Sequence, residues 1–338
     1  MRHCFSYILT LLIFTIIAIN ISPAILFANE INIGGLLETG LSIEQGYEEN
    51  SSDITLSTVE IGIDAELNDM VQGNIVMLWE EDDTEQVIVD QASITVEDQG
   101  RYLTAGRICL PFGSYESNMV SDPLTLEIGE TYESAVMAGI GFTNLSMALY
   151  AFNGDTAEEL NSEDNIDHFG ASIGYSMDAQ SMSAAVGIDY INSIMDTDGL
   201  SSAVIEMSGE TGMAADYAAG AAIHSTISFG PLTIAAEYLT ALDKYTDLSG
   251  VTTMEPSAFT VEAGYSFQMA GKRAVLSIGY QGTEDMSGML PEKRTLTCVS
   301  VEVKEGLNFG LEYARDEDYS NATGETADII NILLAIEF

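Results

Sequence analysis

From about residue 30 onward the chain alternates apolar and polar residues again and again. That period of two constrains the fold more than any other feature. Counting back from Phe338, Ile336, Leu334, Ile332 and Ile330 fall on one face and Glu337, Ala335, Leu333 and Asn331 on the other. Near the start, Ile31, Ile33, Leu37, Leu41 and Ile43 oppose Asn32, Glu38, Ser42 and Glu44; then Val59, Ile61, Ile63, Ala65 and Leu67 oppose Thr58, Glu60, Asp64 and Glu66. Successive side chains of a strand point to opposite faces, so each run reads as a strand with one apolar face.

Strands are expected near 31–45, 53–67, 70–80, 86–97, 100–112, 129–142, 144–153, 166–176, 181–192, 216–229, 231–242, 257–268, 272–283, 294–303, 306–316 and 326–338. Their connections alternate between short turns, such as Asn68-Asp69 and Ala270-Gly271, and longer polar stretches, such as 113–128 and 193–215. A sandwich and a membrane barrel both alternate, with opposite faces wet. Short turns at one end, long loops at the other and an even strand count favour a transmembrane antiparallel β-barrel. The tally is about sixteen strands, with fourteen or eighteen within the error of the boundaries.

The first residues agree with export. Arg2 precedes an apolar run from Tyr7 to Ile21, Pro23 breaks it, and Ala28 supplies a small residue. This is the order of a secretory signal peptide, with an uncleaved anchor as the rival reading. The expected organisation is a signal peptide over 1–28 and one outer-membrane β-barrel over 29–338, without a plug domain. No later segment has the roughly 18 consecutive apolar residues of a membrane helix. Phe338 is the expected assembly signal, a terminal aromatic presented to the barrel assembly machinery of a Gram-negative bacterium.

Composition narrows the function. There are 53 Asp+Glu against 10 Lys+Arg, a net charge of −43, and loss of the leader removes Arg2 and no acid, giving −44. Such a field repels nucleic acid and favours cations. Glu38, Glu60, Asp64, Glu66, Glu237, Glu262 and Glu302 fall on inward parity and are the expected lumen acids. Cys109 and Cys298 fall on distant strands and are expected as free thiols. His168 and His224 have no legible catalytic companions, and there is no phosphate loop or metal motif. Asp196-Thr-Asp198-Gly199 is only a fragment of a calcium loop. Neither an enzyme nor a cofactor or metal is expected.

Residues 101–139 should narrow the channel. Arg101, Leu103, Ala105, Arg107 and Cys109 share a face, and because lipid holds Arg poorly, Arg101 and Arg107 are expected in the lumen. The stretch that follows carries Glu116, Asp122, Glu127, Glu130 and Glu133. A basic wall against this acidic in-folded loop would form a charged constriction; the alternative is that the arginines only neutralise nearby carboxylates.

The same stretch carries a resemblance: Gly106-Arg107 with Pro111-Phe112-Gly113, Glu116-Ser-Asn118-Met, Ser121-Asp122-Pro123-Leu-Thr125-Leu-Glu127 and Gly129-Glu130-Thr131. Further pieces are Phe229-Gly-Pro231, Glu237-Tyr238, Tyr265-Ser-Phe267, Gly271-Lys272, Gly279-Tyr280-Gln281-Gly282, Leu290-Pro291-Glu292 and Leu311-Glu312-Tyr313. Here the chain resembles the LbtU-family siderophore porins. The resemblance implies a TonB-independent outer-membrane channel that takes ferric siderophores into the periplasm. The alternative is a general, cation-preferring diffusion porin for small cationic solutes. In either case the expected partners are outer-membrane lipid and the assembly machinery, with a homotrimer as the assembly a porin of this width suggests.

Overall fold

The computed structural model describes residues 28–47, 49–81, 84, 86–154, 166–202, 214–247 and 253–338. The expected leader lies almost wholly outside them. Nineteen strands are described: β1 (Glu30–Gln45), β2 (Asn50–Asn68), β3 (Val71–Trp79), β4 (Ile88–Asp98), β5 (Arg101–Cys109), β6 (Tyr132–Gly141), β7 (Leu145–Phe152), β8 (His168–Ala179), β9 (Met182–Ile191), β10 (Ala214–Asp216), β11 (Gly220–Phe229), β12 (Leu232–Ala241), β13 (Tyr245–Asp247), β14 (Thr253–Met254), β15 (Ser257–Met269), β16 (Lys272–Glu284), β17 (Lys293–Lys304), β18 (Leu307–Glu317) and β19 (Thr326–Glu337). Sixteen of them close into one antiparallel barrel, while β10, β13 and β14 form a small separate sheet.

Closure joins first strand to last, with Leu37 opposite Ile336 and Ile43 opposite Ile330. A closed ring leaves no unpaired strand edge, the condition for a sheet to stand in hydrocarbon. Phe338 seals the seam: its backbone exchanges hydrogen bonds with Gly35 at 2.9 and 3.1 Å. A Cβ at Gly35 would sit 2.7 Å from the Phe338 ring, so glycine leaves the place where the terminal ring lies.

The apolar face of the alternation is outside. Ile33, Ile75, Ile94, Leu149, Ile188, Ile278 and Leu334 are exposed on the outer wall. Two levels of exposed aromatics bracket this belt. Phe142, Tyr175, Phe229, Tyr265, Phe309 and Phe338 lie near the short turns; Phe169, Tyr190, Tyr238, Tyr280 and Tyr313 lie toward the long loops. An apolar band between aromatic girdles is the outer surface of a membrane barrel. No helix of the described residues is long and apolar enough to cross a membrane, which says nothing of a barrel.

The tight turns use left-handed backbone. Gln99-Gly100 and Ala270-Gly271 have φ of +51°, +75°, +50° and +77°, the two-residue geometry that matches strand twist. At Gly106 (φ +143°) a Cβ would lie 2.1 Å from the Ala92 carbonyl oxygen, so β4 and β5 can approach there only over glycine.

The connection after β5 turns inward. Leu110 donates to the Thr131 carbonyl at 2.8 Å, pinching its two ends together. Between them lies one short helix, α1 (Leu124–Gly129). Leu110, Phe112 and Ile128 join Ile194, Met195, Leu200, Leu239, Tyr245 and Met286 in a dry cluster on the long-loop side. The barrel therefore has a filled part, against β5 to β16, and a more open part against β1, β2 and β19.

Candidate functional site: the narrowed lumen

The in-folded segment is held by carboxylates of the wall that accept its backbone N–H groups. Gly113 donates to Asp189 Oδ2 at 2.9 Å; Ser114 and Tyr115 donate to the Glu237 carboxylate at 2.6 and 3.3 Å. Asn118 donates through its backbone N and its Nδ2 to Glu262 Oε1 at 2.9 and 2.7 Å, and the Ser117 hydroxyl donates to Oε2 at 2.8 Å. Val120 and Ser121 donate their backbone N–H to Glu312 Oε2 at 2.7 and 3.3 Å, and the Ser121 hydroxyl donates to Oε1 at 2.5 Å. α1 then lies back on the wall, with Thr125 donating to Glu237 Oε2 at 2.8 Å and Leu124 N to Gln281 Oε1 at 3.1 Å.

The rationale is electrostatic. A loop crossing a lumen carries backbone donors with no ladder to join, and burying them unpaired is costly. Ionised carboxylates that accept two or three N–H groups satisfy those donors with charge-assisted bonds. The tethers come from β9, β12, β15 and β18, so the segment is fastened at intervals around half the ring.

On the other side acid faces acid. A cavity of about 330 Å³ is lined by Glu38, Thr58, Glu80, Ser121, Asp122 and Asn331. Burial raises the Asp122 carboxyl above its usual range, and Glu312 adds to this while Arg294 opposes it. Glu130, at the end of α1, is pushed up to about 7 by burial and by the neighbouring Asp198, Asp122, Asp90 and Glu80. A second polar cavity, of about 650 Å³, opens toward the short turns between Glu116, Asn144, Ser176, Asp178, Ser183 and Thr226.

The residues singled out in the sequence separate into three groups. Glu116, Asp122, Glu127 and Glu130 lie on the in-folded segment, and Glu133 is buried on the inner face of β6. Glu38, Glu60, Asp64, Glu66, Glu237, Glu262 and Glu302 all share the inner face by strand pairing. Of these, Glu237 and Glu262 are occupied with tethering rather than open to solute.

The expectation that Arg101 and Arg107 look into the lumen is corrected. Tyr102 and Thr104 take the inner face, and Thr104 is buried with its hydroxyl 2.9 Å from that of Thr95. Arg101, exposed Leu103 and Arg107 alternate with them and stand opposite Ile140, Ala138 and Ser134 on the outer wall. Arg107 donates from Nε to the Asp90 carbonyl at 3.0 Å. The basic wall is therefore absent from the constriction.

A cation that does face inward beside the in-folded segment is Arg294, which clamps Asp316 through Nε and Nη2, both at 2.8 Å. It lies within reach of Glu127 and Glu312, and inward parity next to Lys293 was its sequence signal. Two histidine contacts also went unread: His224 Nε2 lies 3.3 Å from Asp189, and buried His168 sits between Asp167 and Asp196 at 2.9 and 2.8 Å. His168 and Asp196 together pin the 3₁₀ turn Ile194–Asp196 to the rim. Among the described residues Cys109 and Cys298 are free, and no group of three or more His, Cys, Asp or Glu is placed to hold a metal ion.

No family model matches the sequence. Relatives are found among proteins of Gram-negative bacteria. A UPF0422 protein of Coxiella burnetii is 28% identical over 302 residues, covering 85% of this chain and 64% of the relative. A UPF0422 protein of Legionella pneumophila is 22% identical over 355 residues, 91% of this chain and 66% of its own length. The chain thus spans about two thirds of these relatives. In architecture it is similar to outer-membrane porins. The outer membrane channel DcaP of Acinetobacter baumannii superposes with a TM-score of 0.63 at 14% identity, over 93% of this chain and 99% of that one. An anion-selective porin from Comamonas acidovorans gives 0.62 at 10% identity, over 91% and 99%. These likenesses establish a porin-like channel fold.

Proposed function

We propose that the protein is an outer-membrane channel, not an enzyme, that passes small solutes by diffusion and prefers cations. The observation that carries this reading is the apposition of Glu38, Glu80 and Asp122 around the open part of the lumen. Carboxylates in a narrow, low-dielectric mouth concentrate cations, and the preference weakens as salt screens them. The short turns then face the periplasm and the long loops the exterior. Phe338 at the seam suits recognition by the assembly machinery, and a homotrimer is the expected assembly, as one similar structure is described as a trimer form. The test is the reversal potential of the purified barrel in a planar bilayer under a KCl gradient. A cation-selective sign at low salt supports the reading; anion selectivity overturns it.

A second reading is favoured by one observation. The run from Ser121 to Thr131, the most specific piece of the resemblance to siderophore porins, is the in-folded segment around α1. On this reading the segment sorts ferric siderophores, and an acidic passage suits those of neutral or positive charge. Adding such a complex to the bilayer would reversibly block the conductance; no block by any ferric siderophore leaves general diffusion.

A further inference from the structure

Arg101 is a cation on the outer wall of the barrel, where Arg107 bonds the Asp90 carbonyl and Lys293 and Arg315 pair with acids. It opens β5 directly after the short turn, so it stands at the level of exposed Phe142 and Tyr175 rather than at mid-membrane. Its cross-strand neighbour Asp98 makes no ion pair with it among the described residues.

Directly above it, toward the long loops, the wall is hollowed. The rung Leu103, Ala138, Leu149, Ala171 alternates large and small side chains across β5 to β8. The furrow left over the alanines is almost wholly apolar and encloses about 480 Å³ between Ile140, Met147, Leu149 and Ile173, with Arg101 at its short-turn end.

We propose that this furrow is a binding site for a phospholipid of the leaflet next to the short turns, with its phosphate on Arg101 and one acyl chain lying over Ala138 and Ala171. The inference rests on the membrane reading above. Charge complementarity selects the occupant. A guanidinium at headgroup depth pairs with phosphate through parallel N–H groups, and its fork distinguishes it from lysine. Arg101, without an ion pair among the described residues and at the end of the furrow, marks where one headgroup is accepted. The furrow supplies what a bare charge lacks, since a chain laid in it is packed on both sides by Leu149 and Ile140.

The experiment is native mass spectrometry of the detergent-purified barrel titrated with dioleoyl-phosphatidylglycerol, for wild type, Arg101→Gln, Arg101→Lys and Ala138→Leu. Heat-modifiable migration on gels reports folding separately, and failure of the wild type to fold in detergent would sink the membrane reading rather than the site. The wild type should retain discrete lipid adducts. Arg101→Gln should weaken retention by about fivefold, the worth of one basic residue near an anionic surface. Ala138→Leu keeps the charge, fills the furrow and should weaken retention too, and Arg101→Lys should restore only part of it. Equal retention by all the folded variants overturns the proposal. So does a loss of subunit association with unchanged lipid binding, which would give this face to a second copy of the chain.

Discussion

Two sides of one lumen use the same residue type for different purposes. Against β9 to β18, inward carboxylates meet the backbone of the in-folded segment, and each of Glu237, Glu262 and Glu312 accepts several of its donors. Against β1, β2 and β19, inward Glu38 lines the open cavity with Asp122, and inward Glu60 lies near Asp90. An acid's parity fixes which side of the wall it faces; what lies opposite fixes its work. A carboxylate beside free N–H groups becomes a fastener, whereas a carboxylate beside another carboxylate becomes part of a field.

The largest effect should come from cutting a fastener. Glu237→Ala removes the acceptor of Ser114 N, Tyr115 N and Thr125 Oγ1. It leaves those donors in a lumen wall, at a cost of about 3 kcal/mol given the usual worth of hydrogen bonds to charged groups. A lower unfolding temperature with a larger, noisier single-channel conductance is expected. Unchanged conductance would mean the segment stays in place without its tethers.

Neutralising the field should act differently. Glu38→Gln with Glu60→Gln should leave stability and conductance at high salt almost unchanged. Cation preference should fall several-fold at low salt and converge with wild type near 1 M, where the screening length is about 3 Å. Reversal potentials over a salt series measure this. If Glu237→Ala lowers selectivity as much as this pair does, the two sides are not functionally distinct.

A smaller effect should appear with pH at the border between the sides. Glu130, raised to about 7 by burial and nearby acids, is protonated more readily folded than unfolded. Its contribution is therefore fully present below the unfolded value, near 4.5, and is lost as pH rises through about 7. Closer docking of α1 against the Asp198 region is expected at pH 5.5 than at pH 8. Glu130→Gln should abolish this part of the pH dependence of unfolding. A pH profile identical in wild type and variant would remove Glu130 from the border.

The barrel was legible because its signal is repeated. Each strand alternates, and the loop rhythm says which ends are short; the sixteen expected runs correspond to the sixteen barrel strands. The short β10, β13 and β14 lie in long loops where nothing alternates long enough to be seen. α1 was missed because Leu-Thr-Leu-Glu-Ile-Gly itself alternates like a strand, and Pro123 before it gives no side-chain cap. The arginines were placed on a common face but on the wrong side, for a specific reason. Apolar residues normally mark the lipid face, yet Ile108 points inward because Phe112 and Ile128 of the in-folded segment make a dry surface there. Where a loop fills the lumen, apolar means facing the loop, and one strand's pattern cannot say that the loop is present.

That reversal yields the smallest expected effect. If Arg107 lined the constriction, Arg107→Ala would remove a positive charge from the solute path and push selectivity further toward cations. On the outer wall it can do neither. Its structural contribution is the Nε bond to the Asp90 carbonyl at 3.0 Å, beside the bulge where β3 and β4 shift register. Loss of that bond should cost about 1 kcal/mol, visible as a slight fall in unfolding temperature. Reversal potential and conductance should match wild type within error, and the Lys variant should match it too. The comparison breaks if Arg107→Ala changes selectivity as strongly as the Glu38 and Glu60 pair. Arg107 would then act on the open side of the lumen from behind its wall, through Asp90, whose charge lies close enough to Glu60 to be felt there.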